Sequence, residues 1–149
     1  MRSLYLLPAV ALLGLLAGCD ADKMKDVAAN DSCSLDSPVN GAEVVSDVPF
    51  EPWGWAYNAV ASTVPKDVTL QIINAKNDVV MTSPVARAPR PDVAKAFSKP
   101  DLANSGFVGK LDISKLDAGT YSIKVIQQEG NFRYNCTSPT KFKIQAKKA

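Results

Sequence analysis

Histidine is absent from the 149 residues, and with it goes the side chain most often used to move protons or hold a metal near neutral pH. Cysteine is scarce, with three in the chain. Two cysteines without histidine make a poor metal site, and Asp20-Ala21-Asp22 lacks the later ligands and the glycine of a calcium loop. No Gly-x-Ser-x-Gly nucleophile elbow occurs. There is no strong excess of one charge: 17 basic against 15 acidic residues give a formal +2, which argues against a nucleic-acid partner. Helical periodicity is nearly missing, no internal repeat is evident, and the longest apolar run, Leu4–Leu16, is too short to span a bilayer comfortably. No cofactor or metal is expected, and catalysis is not.

What the chain does have is alternation. In FVGKLDISKLDAGTYSIKVIQ, residues 107–127, Phe107, Gly109, Leu111 and Ile113 share one parity, and Tyr121, Ile123 and Val125 share another face after a turn at Lys115–Gly119, where Gly119 can take a positive φ. Val68, Leu70 and Ile72 alternate in another strand, followed by a turn at 74–78 and Val79–Met81. Cys33 and Leu35 suggest a first strand before a turn at Ser37–Gly41, and Phe132, Tyr134 and Cys136 a last one that resumes at Phe142 and Ile144. Residues 83–100, with four prolines, show no strand alternation; within them Asp92 is placed to cap one helical turn through Phe97. Seven or so short strands with turn signals between them predict an all-β sandwich or barrel.

The beginning of the chain carries a different message. Arg2, the apolar run and then Leu16-Ala17-Gly18-Cys19 resemble a bacterial lipoprotein signal peptide with its lipobox. That resemblance implies diacylglycerol on Cys19, cleavage before it, and usually N-acylation. Removal of residues 1–18 would leave 131 residues with a formal charge of +1, since Arg2 alone is lost. Asp20 resembles the inner-membrane retention signal of enterobacterial lipoproteins, so the periplasmic face of the inner membrane is favoured over the outer membrane. Residues 19–31 are polar and aperiodic and read as a tether of at most about 40 Å, with the domain spanning 32–149.

In that oxidising space the two remaining cysteines, Cys33 and Cys136, form an even pair, and a disulfide is favoured over a metal pair or a reactive thiol. Asp117-Ala118-Gly119-Thr120-Tyr121 resembles the tyrosine corner of immunoglobulin-like sandwiches, which implies that Tyr121 hydrogen-bonds back to the chain just upstream. The segments 54–58, 90–94, 104–107 and 116–121 together are similar to small β-sandwich modules of envelope and polysaccharide-related proteins, found appended to glycosyltransferases or methyltransferases. The lipid anchor and the disulfide depart from that pattern and speak against an enzyme-appended role.

Candidate contacts are few. Trp53, Trp55 and Tyr57 lie on odd positions while Val48 and Phe50 lie on even ones, with Pro52 between. Either the strand bulges near Pro52 or Gly54 and Ala56 face inward. Three aromatics on one exposed face would stack on sugar rings or anchor a protein; the alternative is a core Trp, favoured for Trp55, which leaves Trp53 and Tyr57 open. Arg90 and Asp92 present either a polar hook or an ion pair that pins the loop to the sheet, the latter favoured. Ser138-Pro139-Thr140-Lys141 matches the Ser-x-x-Lys acylation motif, but that motif needs a helix and proline here sits in a strand. Glu51 with Asp47, and Asp112 with Asp117, read as solvated surface. Lys141 and Lys143 read as edge protection on a terminal strand. The expectation is a lipid-tethered, disulfide-stapled immunoglobulin-like antiparallel β-sandwich of about seven strands, a non-catalytic envelope module that contacts a polysaccharide or a membrane-protein partner. The alternatives are a cell-wall or glycan-processing hydrolase or transferase, and a purely structural accessory subunit.

Overall fold

The computed structural model describes residues 23–146, so Cys19, Asp20 and the signal segment lie outside the described residues. The described chain is all-β, with nine strands and one short α-helix: β1 (Lys25–Ala28), β2 (Cys33–Ser37), β3 (Glu43–Val45), β4 (Trp53–Ala56), β5 (Asp67–Asn74), β6 (Val79–Ala88), α1 (Pro91–Ala96), β7 (Gly106–Val108), β8 (Gly119–Glu129) and β9 (Phe132–Gln145). They form one curled sheet in the order β1-β9-β8-β5-β6-β7-β4-β2, with β3 also paired to β9. The curl is made at β6, which pairs with β5 through Val85 and with β7 from Ala86 onward. The two halves enclose a core of Leu70, Ile72, Ile123, Val125, Phe107, Ile113 and Phe142, among others.

Alternation places these residues. Leu70 and Ile72 on β5 and Tyr121, Ile123 and Val125 on β8 are buried at every second position. Phe107, Gly109, Leu111 and Ile113 are likewise buried, with Val108, Lys110 and Asp112 between them exposed, although the regular ladder of β7 stops at Val108 and Leu111 is held by a bridge to Phe50.

The structure corrects the sequence reading in several places. Residues 25–28 are not free tether: β1 lies parallel to β9, with Lys25 opposite Phe132 and Ala28 opposite Asn135. Backbone pairing holds this strand, and a polar segment can supply that without apolar alternation. Two strands were therefore added to the expected seven, β1 and β3. Ser83–Ala88 belong to β6 despite Pro84, which sits where β6 has a partner on one side only, so its missing N–H breaks no second ladder. β9 is not an edge strand; it has β8 on one side and β1 and β3 along parts of the other. Its interruption between Thr137 and Lys141 is a bulge, where three residues of β8 face five of β9.

The Cys33–Cys136 disulfide is present, with Cα atoms 6.1 Å apart. It ties β2, one end of the strand order, to β9 near the other end, a pair the hydrogen-bond path does not make neighbours. Tyr121 donates its phenol hydrogen to the Asp117 carbonyl at 2.7 Å. Burial is the first cause, and the Asp117 charge the second, that pushes the Tyr121 pKa up. Gly119 does not use the left-handed conformation expected of it; it lies in β8 beneath the Tyr121 ring, and positive φ falls instead at Gly41 and Gly130.

Candidate functional site

β4 explains the aromatic cluster. Gly54 and Ala56 face the core, and a Cβ on Gly54 would stand 2.1 Å from the Ser34 carbonyl oxygen and 3.0 Å from the Phe107 ring. Only glycine lets β4 approach β2 this closely. The odd positions must then face outward, so the second of the two phasings holds.

The three aromatics meet different fates on that face. Trp53 is 44% exposed, Trp55 is half-buried, and Tyr57 is only 6% exposed. The cause is the segment from α1 through the 3-10 turn Pro100–Asn104: Ala94 and Leu102 pack on Tyr57, with Trp55 beside them. Phe97, at the end of α1, stands 5.4 Å from Trp55 and 5.5 Å from Tyr57. Tyr57 is thus structural and not a contact surface, while Trp55 is shared between packing and surface. Lys99 lies 5.8 Å over the Tyr57 ring and donates to the Ser62 hydroxyl at 2.9 Å.

Arg90 and Asp92 form the pin and not the hook. The guanidinium makes two parallel bonds to Asp92, at 2.8 and 2.7 Å, and one to Asp36 on β2 at 2.5 Å. Its side chain keeps 17% of its surface and its centre lies 5.8 Å over the Trp53 ring. Asp92 does not cap α1; the helix starts at Pro91, and its N-cap residue is Arg90, which has no capping side-chain bond. The Arg90 hydrogen bonds hold the Asp92 carboxyl down to about 2, and Asp92 in turn raises Arg90 further above its usual range. A carboxylate whose folded pKa is depressed adds stability in full above its unfolded pKa of 3.8, and that contribution is lost as pH falls through about 2. An NMR titration of the Asp92 carboxyl carbon should show its midpoint near 2; a midpoint near 3.8 would mean that the pin is not formed in solution.

Beside Trp53 the surface opens into an apolar groove of about 630 Å³, lined chiefly by Pro38, Val39, Val45, Val48, Trp53 and Val108. Val39, Val45, Val48, Trp53 and Val108 are all markedly exposed for their type. An apolar concentration of this kind is the usual mark of a contact surface. No sequence period brings these residues together, because they come from four separate stretches of the chain.

Sequence reasoning also missed the group that holds this face in place. Arg87 donates from Nε and Nη2 to the Pro65 carbonyl at 2.9 and 2.7 Å, from Nη1 to the Ala56 and Ser105 carbonyls at 2.9 and 3.0 Å, and from Nη2 to Gln127 Oε1 at 2.9 Å. Gln127 Nε2 passes the link to the Tyr57 carbonyl at 3.0 Å. All five donors of the guanidinium are used, and each of these acceptors is neutral. Burial lowers the Arg87 pKa to about 10, which leaves it charged at neutral pH. The available signal was Gln127, a polar residue at the inward parity of β8.

Asp47, Glu51, Asp112 and Asp117 are exposed. Asp112 is drawn below its usual pKa by hydrogen bonds from Ser114. Ser138 is buried and accepts from the Thr140 amide, while Lys141 lies on the exposed parity of the same strand, so the Ser-x-x-Lys pair is not assembled. Among the described residues no three acidic or cysteine side chains group closely enough to hold a metal ion, and no helix is long and apolar enough to cross a membrane.

No protein-family model matches the chain, and no curated protein matches its sequence. Among solved structures the chain is similar to an endo-beta-1,4-mannanase from Thermotoga petrophila, with 11% identity and a TM-score of 0.50 over 78% of this chain. The chain spans only 20% of that enzyme's length, and at this identity the likeness speaks to fold alone.

Proposed function

We propose that this chain is a non-catalytic binding module of the bacterial envelope, anchored by lipid on Cys19 at the periplasmic side of a membrane, with the inner membrane favoured by Asp20. In this reading the curled sheet is an immunoglobulin-like sandwich with added strands; the Tyr121–Asp117 bond supports it.

The observation that carries the binding role is the groove beside Trp53. Its lining is aliphatic apart from Trp53, Phe50, Ser37 and Glu51. A sugar ring asks for planar polar side chains around a stacked aromatic, and the planar pair nearest Trp53, Arg90 with Asp92, already satisfies itself and Asp36. Apolar side chains of a protein partner suit the groove better than a polysaccharide does. A large exposed ring at the edge of such a groove is the expected anchor.

Photo-crosslinking in living cells tests the idea. A crosslinker at Val48 should give a discrete protein adduct, one at Lys66, beside Asp67 at the opposite end of the β5–β8 ladder, should not, and Trp53→Ala should weaken partner binding by roughly 30-fold, about 2 kcal/mol. Equal adducts from both positions would remove the groove as the site. An intact groove that captures only glycan, with capture lost in Trp53→Ala, would turn the reading to polysaccharide.

A further inference from the structure

Most of the exposed large apolar side chains among the described residues fall into two sets, with Val79, Val80 and Phe97 outside both. One set lines the groove. The other lies where the described chain begins: Met24 and Phe132 are exposed, and Val60, at the tip of the loop after β4, is 88% exposed. These three are connected. Lys25, next to Met24, pairs with Phe132 and holds its ammonium 5.6 Å over that ring. Phe132 stacks on Tyr134 at 6.3 Å, and Tyr134 and Val60 line the same small hollow of about 190 Å³.

The separation of the two sets can be read along β8. Gly119 faces Ile144, the partner of Val44 at the groove, and Glu129 faces Phe132. The two positions are ten steps apart along the strand, or about 33 Å at roughly 3.3 Å per residue. Cys19, by contrast, is five residues before Met24, a reach of about 17 Å at most. An acyl chain on Cys19 therefore starts from the end that carries Met24, Phe132 and Val60, and the groove lies about 33 Å further along the strands.

We infer that this end of the domain is a membrane-docking face, with Met24, Phe132 and Val60 entering the headgroup region and Lys25 and Lys66 facing lipid phosphates. The inference rests on the lipid anchor proposed above. The chemistry fits an interface: an aromatic pair and two aliphatic side chains beside ammonium groups bury apolar area and meet anionic lipid together. Of the local acids, Asp26 is engaged by Arg133 and Asn135 and Glu129 by Asn58 and Thr63, while Asp31 and Asp67 stay exposed beside Val60 and Lys66. Docking leaves the groove facing away from the bilayer.

The test uses the full chain, expressed with its own residues 1–149 and reconstituted in vesicles of phosphatidylethanolamine and phosphatidylglycerol, with a nitroxide label on Val60→Cys or on Val48→Cys. Mass spectrometry of the mature N-terminus is read first. If it carries no acyl chain, the anchor reading falls and this inference falls with it. With the acyl chain present, the ratio of oxygen to nickel-chelate accessibility should be several-fold higher at residue 60 than at residue 48, and Met24→Ser with Phe132→Ser should abolish the difference. Equal, water-like ratios at both positions would overturn the docking face while leaving the anchor standing. Label–label broadening at residue 60 would show that a second copy covers the patch and would overturn it equally.

Discussion

Arg87→Met should cost the domain about 3–5 kcal/mol, the largest effect expected of any single side chain outside the apolar core. Methionine keeps the apolar stem as far as the position of Nε and leaves the place of the guanidinium unfilled. What is lost is the guanidinium's donation to the carbonyls of Ala56, Pro65 and Ser105 and to the Gln127 amide oxygen, of which the Ser105 carbonyl keeps the Ala56 N–H at 2.9 Å. Gln127 is fully buried, and an unsatisfied buried acceptor costs roughly 1–3 kcal/mol. Arg87→Lys should recover only part of the loss, because one ammonium cannot face acceptors on opposite sides of a planar guanidinium. Urea unfolding checks this as a fall in midpoint of at least about 1 M at an unchanged slope. An unchanged midpoint for Arg87→Met would show that water replaces the guanidinium without cost. Because Ala56 and Tyr57 end the aromatic strand, the same variant should also loosen Trp55, visible as a shift in tryptophan emission.

Loss of the Cys33–Cys136 bond should have an effect of similar size. It closes a loop with a sequence separation of 103, for which the chain-entropy treatment gives about 4–5 kcal/mol, and removal from small secreted domains costs about 2–5. The paired variant Cys33→Ala with Cys136→Ala, compared with the oxidised protein, should melt about ten degrees lower or more. Equal melting temperatures would mean that the hydrogen bonds of β2 and β9 to their other neighbours hold both ends of the sheet unaided. Reduction of the native protein should reproduce the shift of the paired variant.

The fold was legible wherever a strand has one wet and one dry face. β5, β8 and the end of β9 alternate cleanly because the core lies on one side of each, and the Tyr121–Asp117 hydrogen bond was legible in a short motif. β1 was not legible, since a four-residue polar strand is held by backbone ladder alone. Ser83–Ala88 was hidden by Pro84, and the phase of Trp53, Trp55 and Tyr57 turned on how closely β4 approaches β2 at Gly54, which no local pattern reveals. The candidate site was half legible: Trp53 is exposed at the groove, as one of the two phasings requires, but Tyr57, Arg90 and Asp92 are engaged by the protein itself. The groove draws on residues 37–53 with Val108, where no single period runs, and the Arg87 network joins residues far apart in the chain, so only the folded sheet reveals either.

The parallel seating of β1 on β9 also decides how the domain bears load. Tension applied at the start of the chain and resisted near Val44 and Ile144 runs along the strands, so the rungs between residues 25–28 and 132–135 are sheared together instead of unzipping one by one. Should they give way, only a few residues pay out before the pull reaches Cys33, where a covalent stop transfers it to the middle of β9.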